Sequence, residues 1–319
     1  MRVHFARSFP ERSRCLWTNR GLWYHARLKC CNWETLLNWL SNHKRFATVL
    51  ALAYLVANIF THETVQHIAK WIQDSLTPAG TNTLVTVVAL LLLLVAAVMI
   101  PARLRHAPQK FLKIFYCVVT AAFVVMTYTR LFMINTESIH FVQYALLAVI
   151  VFAVTPRFGE TVLLVTILGA IDESYQYWVL NRNEPQYLDF NDMILNLEGA
   201  AIGVLAPAVL ARPNSDTAPS ATYSISRFLK SPAFLMAMGI ALVAGLLAVL
   251  GEVALYCESG AWVVLRSIGP PPTEFYTTSY WGKTCHVLMP WEGLLMIAGM
   301  TAFYVFLDFR LVLQFRRLR

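Results

Sequence analysis

Long apolar stretches recur along the chain, and they constrain its fold more than any other feature. Residues 84–100 carry no charged side chain, and other segments approach the same character. A helix needs about 20 mainly apolar residues to cross the hydrocarbon core of a bilayer. The 319 residues are 57% hydrophobic and only 14% charged, whereas typical soluble domains are about 25% charged. We therefore predict an all-α polytopic membrane protein, since the stretches lack the alternation expected of membrane-spanning strands.

Eight segments fit this description, although the first is shorter than a typical membrane-spanning helix. The spans are predicted at residues 46–60, 83–101, 113–133, 138–155, 158–179, 189–211, 232–255 and 291–313. Because the first is shorter than a bilayer requires, we expect it to tilt or to extend beyond these ends.

The basic residues are distributed unevenly between the two sides that these spans define. The net charge is +8 at pH 7, and all but five of the 26 Lys and Arg residues fall on the side that holds both termini. The five exceptions are Lys70, Arg130, Arg182, Arg266 and Lys283. An excess of Lys and Arg marks cytoplasmic segments. The sequence therefore predicts both termini in the cytoplasm, and topology explains the positive charge without nucleic acid as a partner.

The same spans divide the chain into four regions. They are a basic, Trp-rich cytoplasmic segment (1–45), a six-helix membrane core (46–211), a polar cytoplasmic linker (212–230) and a C-terminal helix pair (231–319) with an outer loop at 256–290. Within the first region, residues 33–40 fit either an amphipathic helix on the inner leaflet or a poorly ordered extension.

The outer loop at 256–290 is rich in Tyr, Trp and Pro. Such aromatic residues favour the membrane interface, where they would anchor the last two helices or cover a site from outside. Cys257 and Cys285 flank this loop. Disulfides persist in oxidising compartments, so we predict a Cys257–Cys285 disulfide if the outer compartment is oxidising, and two thiols otherwise.

Residues 172–203 concentrate charge between two apolar runs. They include six carboxylates and one arginine. The uncharged run before them, 161–171, has 11 residues and spans only about 17 Å as a helix, half of a bilayer. The fifth helix must therefore continue through Asp172, Glu173 and Gln176. These side chains would lie below the outer surface on one broad helix face.

The sixth predicted helix carries a second polar face. Its members follow steps of three and four residues: Asp189, Asp192, Asn196, Gly199 and Gly203. Such steps place residues on one face, and the two glycines permit close contact with another helix. Asp189 and Asp192 also suit a structural role, because carboxylates at a helix N-terminus cap its N–H groups. Glu198 lies off this face, and the pattern assigns it no role.

His140 and Tyr144 lie near the outer end of the fourth predicted helix. Their depth matches that of the carboxylates in the fifth and sixth helices. An ionisable side chain within a membrane span is costly to keep there, so it marks a candidate functional site. We expect the three helices to surround one polar pocket that opens to the outer side.

The combined spacing of these residues resembles that of the VanZ-like family of bacterial membrane proteins. The family pattern has a His and an aromatic residue on one helix, then Glu-x-x-Gln, an Arg six residues later, and Asp-x-x-Asp-x-x-x-Asn-x-x-Gly-x-x-x-Gly. The matching residues are His140, Tyr144, Glu173, Gln176, Arg182, Asp189, Asp192, Asn196, Gly199 and Gly203, within about residues 84–211. Two departures affect Arg182: Leu180-Asn181 replaces the usual Pro-Gly, and the interval to Asp189 is longer.

The resemblance implies a role in the cell envelope and a polar site that processes phosphate-linked lipid head groups. The implied catalytic residues are His140, Glu173 and Asp192. His140 would move a proton or attack phosphorus, and Glu173 would orient it.

The remaining matched residues would bind substrate or metal. The substrate-binding set is Tyr144, Gln176, Arg182 and Asn196. Arg182 would contact a phosphate oxygen through its planar fork of donors. Asp189 and Asp192 are the candidate ligands of a divalent cation, which is the candidate cofactor.

These inferences predict a multi-pass enzyme of the bacterial cytoplasmic membrane that hydrolyses or exchanges a head group of a phospholipid or polyprenyl-phosphate carrier. Its partners would be the bilayer and that lipid-linked phosphate, and its oligomeric state stays open. Two alternatives remain. One is a non-catalytic protein that binds an envelope precursor and contributes to glycopeptide resistance. The other is an ion-coupled transporter, which the one-sided charge cluster and the lack of an inverted repeat disfavour.

Overall fold

The structure, a computed structural model, is almost entirely helical where it is described. It describes residues 33–105, 107, 109–132, 135–180, 188–210, 224–250, 277–278 and 284–310. The helices are α1 Trp33–Asn42, α2 Lys44–Leu104, α3 Lys110–Arg130, α4 Ile139–Val154, α5 Phe158–Tyr175, α6 Phe190–Leu210, α7 Ile225–Leu229, α8 Pro232–Val249 and α9 Pro290–Arg310. A 3₁₀ turn, Asn135–Ser138, precedes α4, and a π-helical turn, Gln176–Leu180, follows α5.

Six helical stretches of the described chain are long and apolar enough to cross a membrane. They are Lys44–Thr77, Ala79–Leu104, Lys110–Arg130, Phe190–Val209, Pro232–Val249 and Pro290–Phe309. The predicted helical architecture is therefore confirmed, and the six stretches are consistent with a membrane protein. The other two predicted spans form helices as well, but α4 has only 16 residues and α5 carries three carboxylates. Eight crossings with both termini in the cytoplasm stay a prediction.

The first two predicted spans belong to one long helical segment, α2, which is interrupted at Thr77. Thr77 has φ 62° and ψ 157°, outside the helical region. Pro78 follows it, and the ring of a proline disfavours helical backbone at the preceding residue. The predicted span at 46–60 lies within Lys44–Thr77, which has 34 residues. The first span is thus long enough to cross. Its apolar run is short because the second half of the helix Lys44–Thr77 carries polar residues.

The centre of the bundle is the contact between α4 and α6. A Cβ atom added at Gly199 would lie 3.0 Å from the carbonyl oxygens of His140 and Phe141, and one at Gly203 would lie 2.9 Å from Ala145 Cα. Only glycine permits two helix backbones to approach so closely. The predicted role of both glycines is confirmed, and their partner helix is α4.

The start of α5 is held by a side chain of α9. Asp308 Oδ1 accepts the backbone N–H of Phe158 at 2.7 Å, and its Oδ2 accepts that of Gly159 at 2.8 Å. These are two of the N–H groups that the start of a helix leaves without an intrahelical partner. Asp308 therefore caps α5 from another helix, a contact between residues 150 positions apart along the chain.

The bundle is covered by side chains suited to lipid. In the second half of α2, Leu92 is 64% exposed and Val98 is 65% exposed, and on α8 Leu242 is 68% exposed. Large exposed apolar surfaces are unstable in water, whereas in a bilayer the acyl chains cover them. Contact with lipid is therefore the expected state of these faces.

The peripheral segments refine three sequence predictions. Residues 33–40 are helical as part of α1, in which Leu37 and Leu40 are buried. The predicted linker 212–230 contains the short helix α7, while 211–223 lies outside the described residues. Within 256–290, the loop predicted to be outer, β1 (Thr277–Thr278) pairs antiparallel with β2 (Thr284–Cys285).

Replacing Gly203 by Ala is expected to force α4 and α6 apart, because of the 2.9 Å approach to Ala145 Cα. Overpacking of this kind costs about 1–3 kcal/mol. The measurement is the midpoint of thermal unfolding of purified protein in detergent. Gly239→Ala on α8 is the matched control, since no described atom lies within 4 Å of a Cβ there. Equal midpoints for both variants would contradict a tight α4–α6 contact.

Candidate functional site

Three helix ends meet at one end of the bundle, which we call the site end: α4 and α6 begin there, and α5 ends there. His140 lies in the first turn of α4, Glu173 in the last turn of α5 and Asp192 in the first turn of α6. One ligand atom from each of the three lies within 4.8 Å of the others. The predicted catalytic residues are therefore brought together, from positions up to 52 residues apart, by the packing of three helices.

The side-chain amide of Asn196 connects two of these residues. Its Nδ2 group donates to Glu173 Oε1 at 3.1 Å, and its Oδ1 atom lies 2.9 Å from His140 Nδ1. Because the carboxylate can only accept, Oδ1 faces the imidazole, and Nδ1 must carry the proton that it donates. The neutral imidazole of His140 then has its lone pair on Nε2.

That lone pair faces a carboxylate. His140 Nε2 lies 4.0 Å from Asp192 Oδ2, and Glu173 Oε1 lies 4.0 Å from His140 Nδ1. A lone pair and an ionised carboxylate at this distance repel each other unless a positive charge lies between them. A proton or a metal cation between these atoms would remove the repulsion, and two carboxylates and an imidazole are ligands that suit a divalent metal ion.

Asp172 and Tyr144 form a second polar pair beside the first. The Tyr144 hydroxyl donates to Asp172 Oδ2 at 2.7 Å, and both side chains are buried. The other oxygen, Asp172 Oδ1, and the Gln176 Nε2 group are buried without a hydrogen-bond partner among the described residues. Unsatisfied buried polar atoms are rare in proteins and call for an explanation such as a ligand. The π-helical turn that begins at Gln176 is a feature often found at functional sites.

Asp189 occupies the capping position of α6. Its Oδ1 atom accepts the backbone N–H groups of Asn191 at 2.8 Å and of Asp192 at 3.4 Å. This is the structural role that the sequence offered as the alternative to metal binding. The side chain of Asp192 is 21% exposed and is thus the most accessible member of the cluster with His140 and Glu173, whose side chains are 7% and 3% exposed.

Two predicted features fall on residues that the structure does not describe. Arg182 lies within 181–187 and Cys257 within 251–276, both outside the described residues. Cys285 is buried. The phosphate-binding role of Arg182 and the Cys257–Cys285 disulfide both stay predictions.

His62 is a site residue that sequence reasoning missed. It lies on α2, half-buried, where the charge of Asp172 acts on it. In the sequence it lies among polar residues after the predicted first span. Nothing there distinguishes it from a histidine in a surface loop. Only the length of α2 brings it beside the site.

Asn191 is the second residue that the sequence did not reveal. Its Nδ2 group donates to the carbonyls of Leu131 at 2.8 Å and of His286 at 2.9 Å, and its Oδ1 accepts the N–H of Leu288 at 2.8 Å. The amide joins the end of α3 to the segment before α9. Asn191 lies next to the polar face of α6 rather than on it, so the helical spacing did not indicate a role for it.

The segment before α9 is fixed by a further local pair. His286 Nε2 lies 3.0 Å from Glu292 Oε2, which also accepts the N–H of Met289 at 2.8 Å. The backbone N–H of His286 donates to the carbonyl of Arg130 at 2.7 Å. These contacts cover the start of α6 from one side and explain why its first turn is buried.

Glu198, which the sequence left without a role, is fully buried on the other side of α6 from Asn196. Its Oε1 atom accepts a hydrogen bond of 2.6 Å from the Thr127 hydroxyl on α3. Its Oε2 atom has no hydrogen-bond partner among the described residues. Glu198 is therefore separate from the His140 cluster.

No protein-family model, curated protein or solved structure matches this chain. The resemblance to the VanZ-like family accordingly stays a prediction that rests on the spacing of the motif residues.

Replacing Asn191 by Ala is expected to destabilise the site end, because it leaves two carbonyls and one N–H without their partner. Each unsatisfied buried group costs about 1–3 kcal/mol. The check is the thermal unfolding midpoint in detergent, with Asn82→Ala on α2 as the matched control, since Asn82 is only half-buried. A midpoint for Asn191→Ala equal to that of the control would rule out this joining role.

Proposed function

We propose that the protein is a membrane enzyme of the VanZ-like type that hydrolyses or exchanges the phosphate-linked head group of a phospholipid or polyprenyl-phosphate carrier. The observation that carries the proposal is the Asn196-oriented pair of His140 and Glu173, which leaves His140 Nε2 facing the Asp192 carboxylate. This arrangement suits a bound cation. A cation held by carboxylates and imidazole is a common device for phosphoryl chemistry.

The position of the cluster in the helices favours a lipid substrate. The cluster is built from the first turns of α4 and α6 and the last turn of α5, so it lies where the bundle meets the head groups if these helices cross the bilayer. α4 has 16 residues and a length of about 24 Å, which is less than the roughly 30 Å of a typical hydrocarbon core. A short helix thins or indents the bilayer around it. Head groups would thereby reach the cluster.

The residues present fit a divalent cation, with His140 Nε2, Glu173 and Asp192 as ligands. Bound there, the ion would neutralise the phosphate and polarise its oxygens. Asn196 is the positioning residue, because it sets the imidazole tautomer and orients Glu173. This assignment moves the predicted metal site from Asp189 and Asp192 to a cluster that keeps Asp192.

The buried atoms without partners supply the remaining roles. The Gln176 amide would donate to a phosphate oxygen, and Asp172 Oδ1 would accept the proton of the attacking water or hydroxyl. In hydrolysis the water oxygen bonds to phosphorus, the bond from phosphorus to the ester oxygen breaks, and a proton passes to the departing oxygen. Arg182 would bind a further phosphate oxygen, as predicted.

A non-catalytic binding protein is the second candidate. It is favoured by the internal pairing of the polar side chains, since Tyr144 pairs with Asp172 and Asn196 pairs with both His140 and Glu173. A network of satisfied groups also stabilises helix packing. The orphaned atoms of Asp172 and Gln176 favour a site that binds a ligand over a purely structural network. Turnover of that ligand is what distinguishes the enzyme from a binding protein.

Glu173→Gln and His140→Ala are each expected to abolish head-group turnover, because they remove a carboxylate or an imidazole from the cluster. The measurement is lipid profiling by mass spectrometry of membranes that contain each purified variant, with a mixture of phospholipids and polyprenyl phosphates as substrate. Glu63→Gln, a change at an exposed carboxylate on α2, should keep the wild-type profile. Identical profiles for wild type and protein-free membranes would favour the binding protein instead.

Metal binding has a readout that does not depend on activity. We expect the purified wild-type protein to bind Mn²⁺ or Zn²⁺ in calorimetry, and Asp192→Asn and His140→Ala to lose that binding. Asn196→Ala should weaken it by roughly 10–100-fold, as loss of a group that orients a ligand does. Glu63→Gln is again the control. Unchanged affinity in Asp192→Asn would show that Asp192 is not a metal ligand and would contradict this site.

A further inference from the structure

α3 presents polar side chains to the interior of the bundle. Its buried residues are Lys113, Tyr116, Thr120 and Thr127, which follow steps of three, four and seven and therefore share one face. The exposed positions of the same helix are apolar, as at Phe111, 78% exposed, and Val118, 61% exposed. A helix that is apolar outside and polar inside is typical of membrane proteins with an internal polar path.

The helices opposite this face carry matching polar residues. On α9, Thr301, Tyr304 and Asp308 are buried and also follow steps of three and four. On α6, Glu198 is buried completely. We give the name polar seam to the buried polar side chains that α3, α6 and α9 turn toward one another. They are Lys113, Tyr116, Thr120 and Thr127 on α3, Glu198 on α6, and Thr301, Tyr304 and Asp308 on α9.

Hydrogen bonds join the seam across the helices at three levels. Nearest the site end, the Thr127 hydroxyl donates to Glu198 Oε1 at 2.6 Å. Deeper in the bundle, the hydroxyls of Thr120 and Tyr304 are hydrogen-bonded to each other. The Tyr116 hydroxyl then donates to the carbonyl of Phe303 at 2.8 Å.

The polar seam extends over most of the thickness of a membrane core. Thr127 and Lys113 are 14 positions apart on α3, a distance of about 21 Å along a helix, or two thirds of a hydrocarbon core of about 30 Å. Asp308 lies near the end of α9 that is remote from the site end, as Lys113 does on α3. The seam thus runs from the level of Glu198 toward the opposite end of the bundle.

Two atoms of the seam are not explained by helix packing. Glu198 Oε2 and Thr301 Oγ1 are buried without a hydrogen-bond partner among the described residues. A threonine within a membrane helix usually bonds a carbonyl of its own helix, as Thr120 does to Tyr116 at 2.7 Å. A network that only held the helices together would leave neither atom unpaired.

The carboxyl of Glu198 suits a proton better than a metal ion. Hard metal cations take about six or more oxygen ligands, whereas the described hydrogen-bond partner of Glu198 is Thr127 alone. With Oε1 accepting from Thr127, the atom left to carry a proton is Oε2. The titratable group that its charge reaches is Tyr304 on α9, on which Tyr116 and Cys117 of α3 also act. Lys113 and Asp308 lie farther along the seam, toward the opposite end of the bundle.

We propose that Glu198 is a proton-binding site within a polar seam that conducts protons through the bundle of α3, α6 and α9. The proton resides on Glu198 Oε2 and passes along the hydroxyls of Tyr304 and Thr120 toward Asp308. This role is independent of the His140 cluster, which lies on the other face of α6, and it does not rest on the proposed enzyme activity.

The test is proton flux into liposomes that contain the full-length protein. A potassium diffusion potential drives the protons, and a pH-sensitive dye trapped inside reports them. Wild-type protein should conduct protons faster than liposomes without protein, and Glu198→Gln should fall to that background. Glu63→Gln should conduct like wild type. Background flux in the wild type, or wild-type flux in Glu198→Gln, would overturn the proposal.

A second measurement covers the case in which Glu198→Gln does not fold. Dicyclohexylcarbodiimide reacts with protonated carboxyls in apolar surroundings, so it should modify Glu198 of the wild-type protein and stop its proton flux. Peptide mass spectrometry locates the modification. Modification of Glu198 with undiminished flux, or a Glu198 that does not react, would count against the proposal. Thr120→Val, which removes one hydroxyl of the seam, should slow the flux and leave the reaction at Glu198 intact.

Discussion

The site depends on the two hydrogen bonds of the Asn196 amide. One amide group has a donor and an acceptor, and here they point at Glu173 and His140 respectively. The carboxylate decides which way the amide faces, and the amide in turn decides which imidazole nitrogen carries the proton. Asp192 then faces a lone pair rather than an N–H group. A buried side chain with no charge of its own thereby creates a place for a cation.

This arrangement requires helices that approach more closely than ordinary side chains permit. Gly199 and Gly203 bring α6 against the backbone of α4, and Gly169 on α5 leaves room for Asn196, whose Cβ would lie 2.9 Å from a Cβ there. Asn191 and Asp308 fix the two ends of the bundle through hydrogen bonds to backbone groups. The close contact sets the distances within the cluster. The hydrogen bonds of Asn191 and Asp308 keep the helices in register.

Much of the membrane-embedded fold could be predicted, because apolar runs and helical spacing are local properties of a chain. The helices α3 to α6, α8 and α9 lie where the apolar runs placed them, and the polar face of α6 follows from its steps of three and four. The continuation of the fifth helix through Asp172 and Glu173, with Gln176 in the π-helical turn that follows, was predicted from length alone. By contrast, α2 extends through residues that read as a loop, and the roles of Asn191 and Glu198 depend on partners 60 or more positions away. Spacing within one helix contains no information about such partners.

The sequence by itself determined that the chain is helical, that it suits a bilayer, and that His140, Glu173 and Asp192 lie toward the same end of the bundle. Burial periodicity and charge are enough for this, since they depend on residue type and order. Only the tertiary structure decided that Asn196 links His140 to Glu173, that Asp189 caps α6, and that Glu198 meets Thr127 on α3. Such pairings depend on the rotation of each helix about its axis, which the packing of neighbouring helices sets.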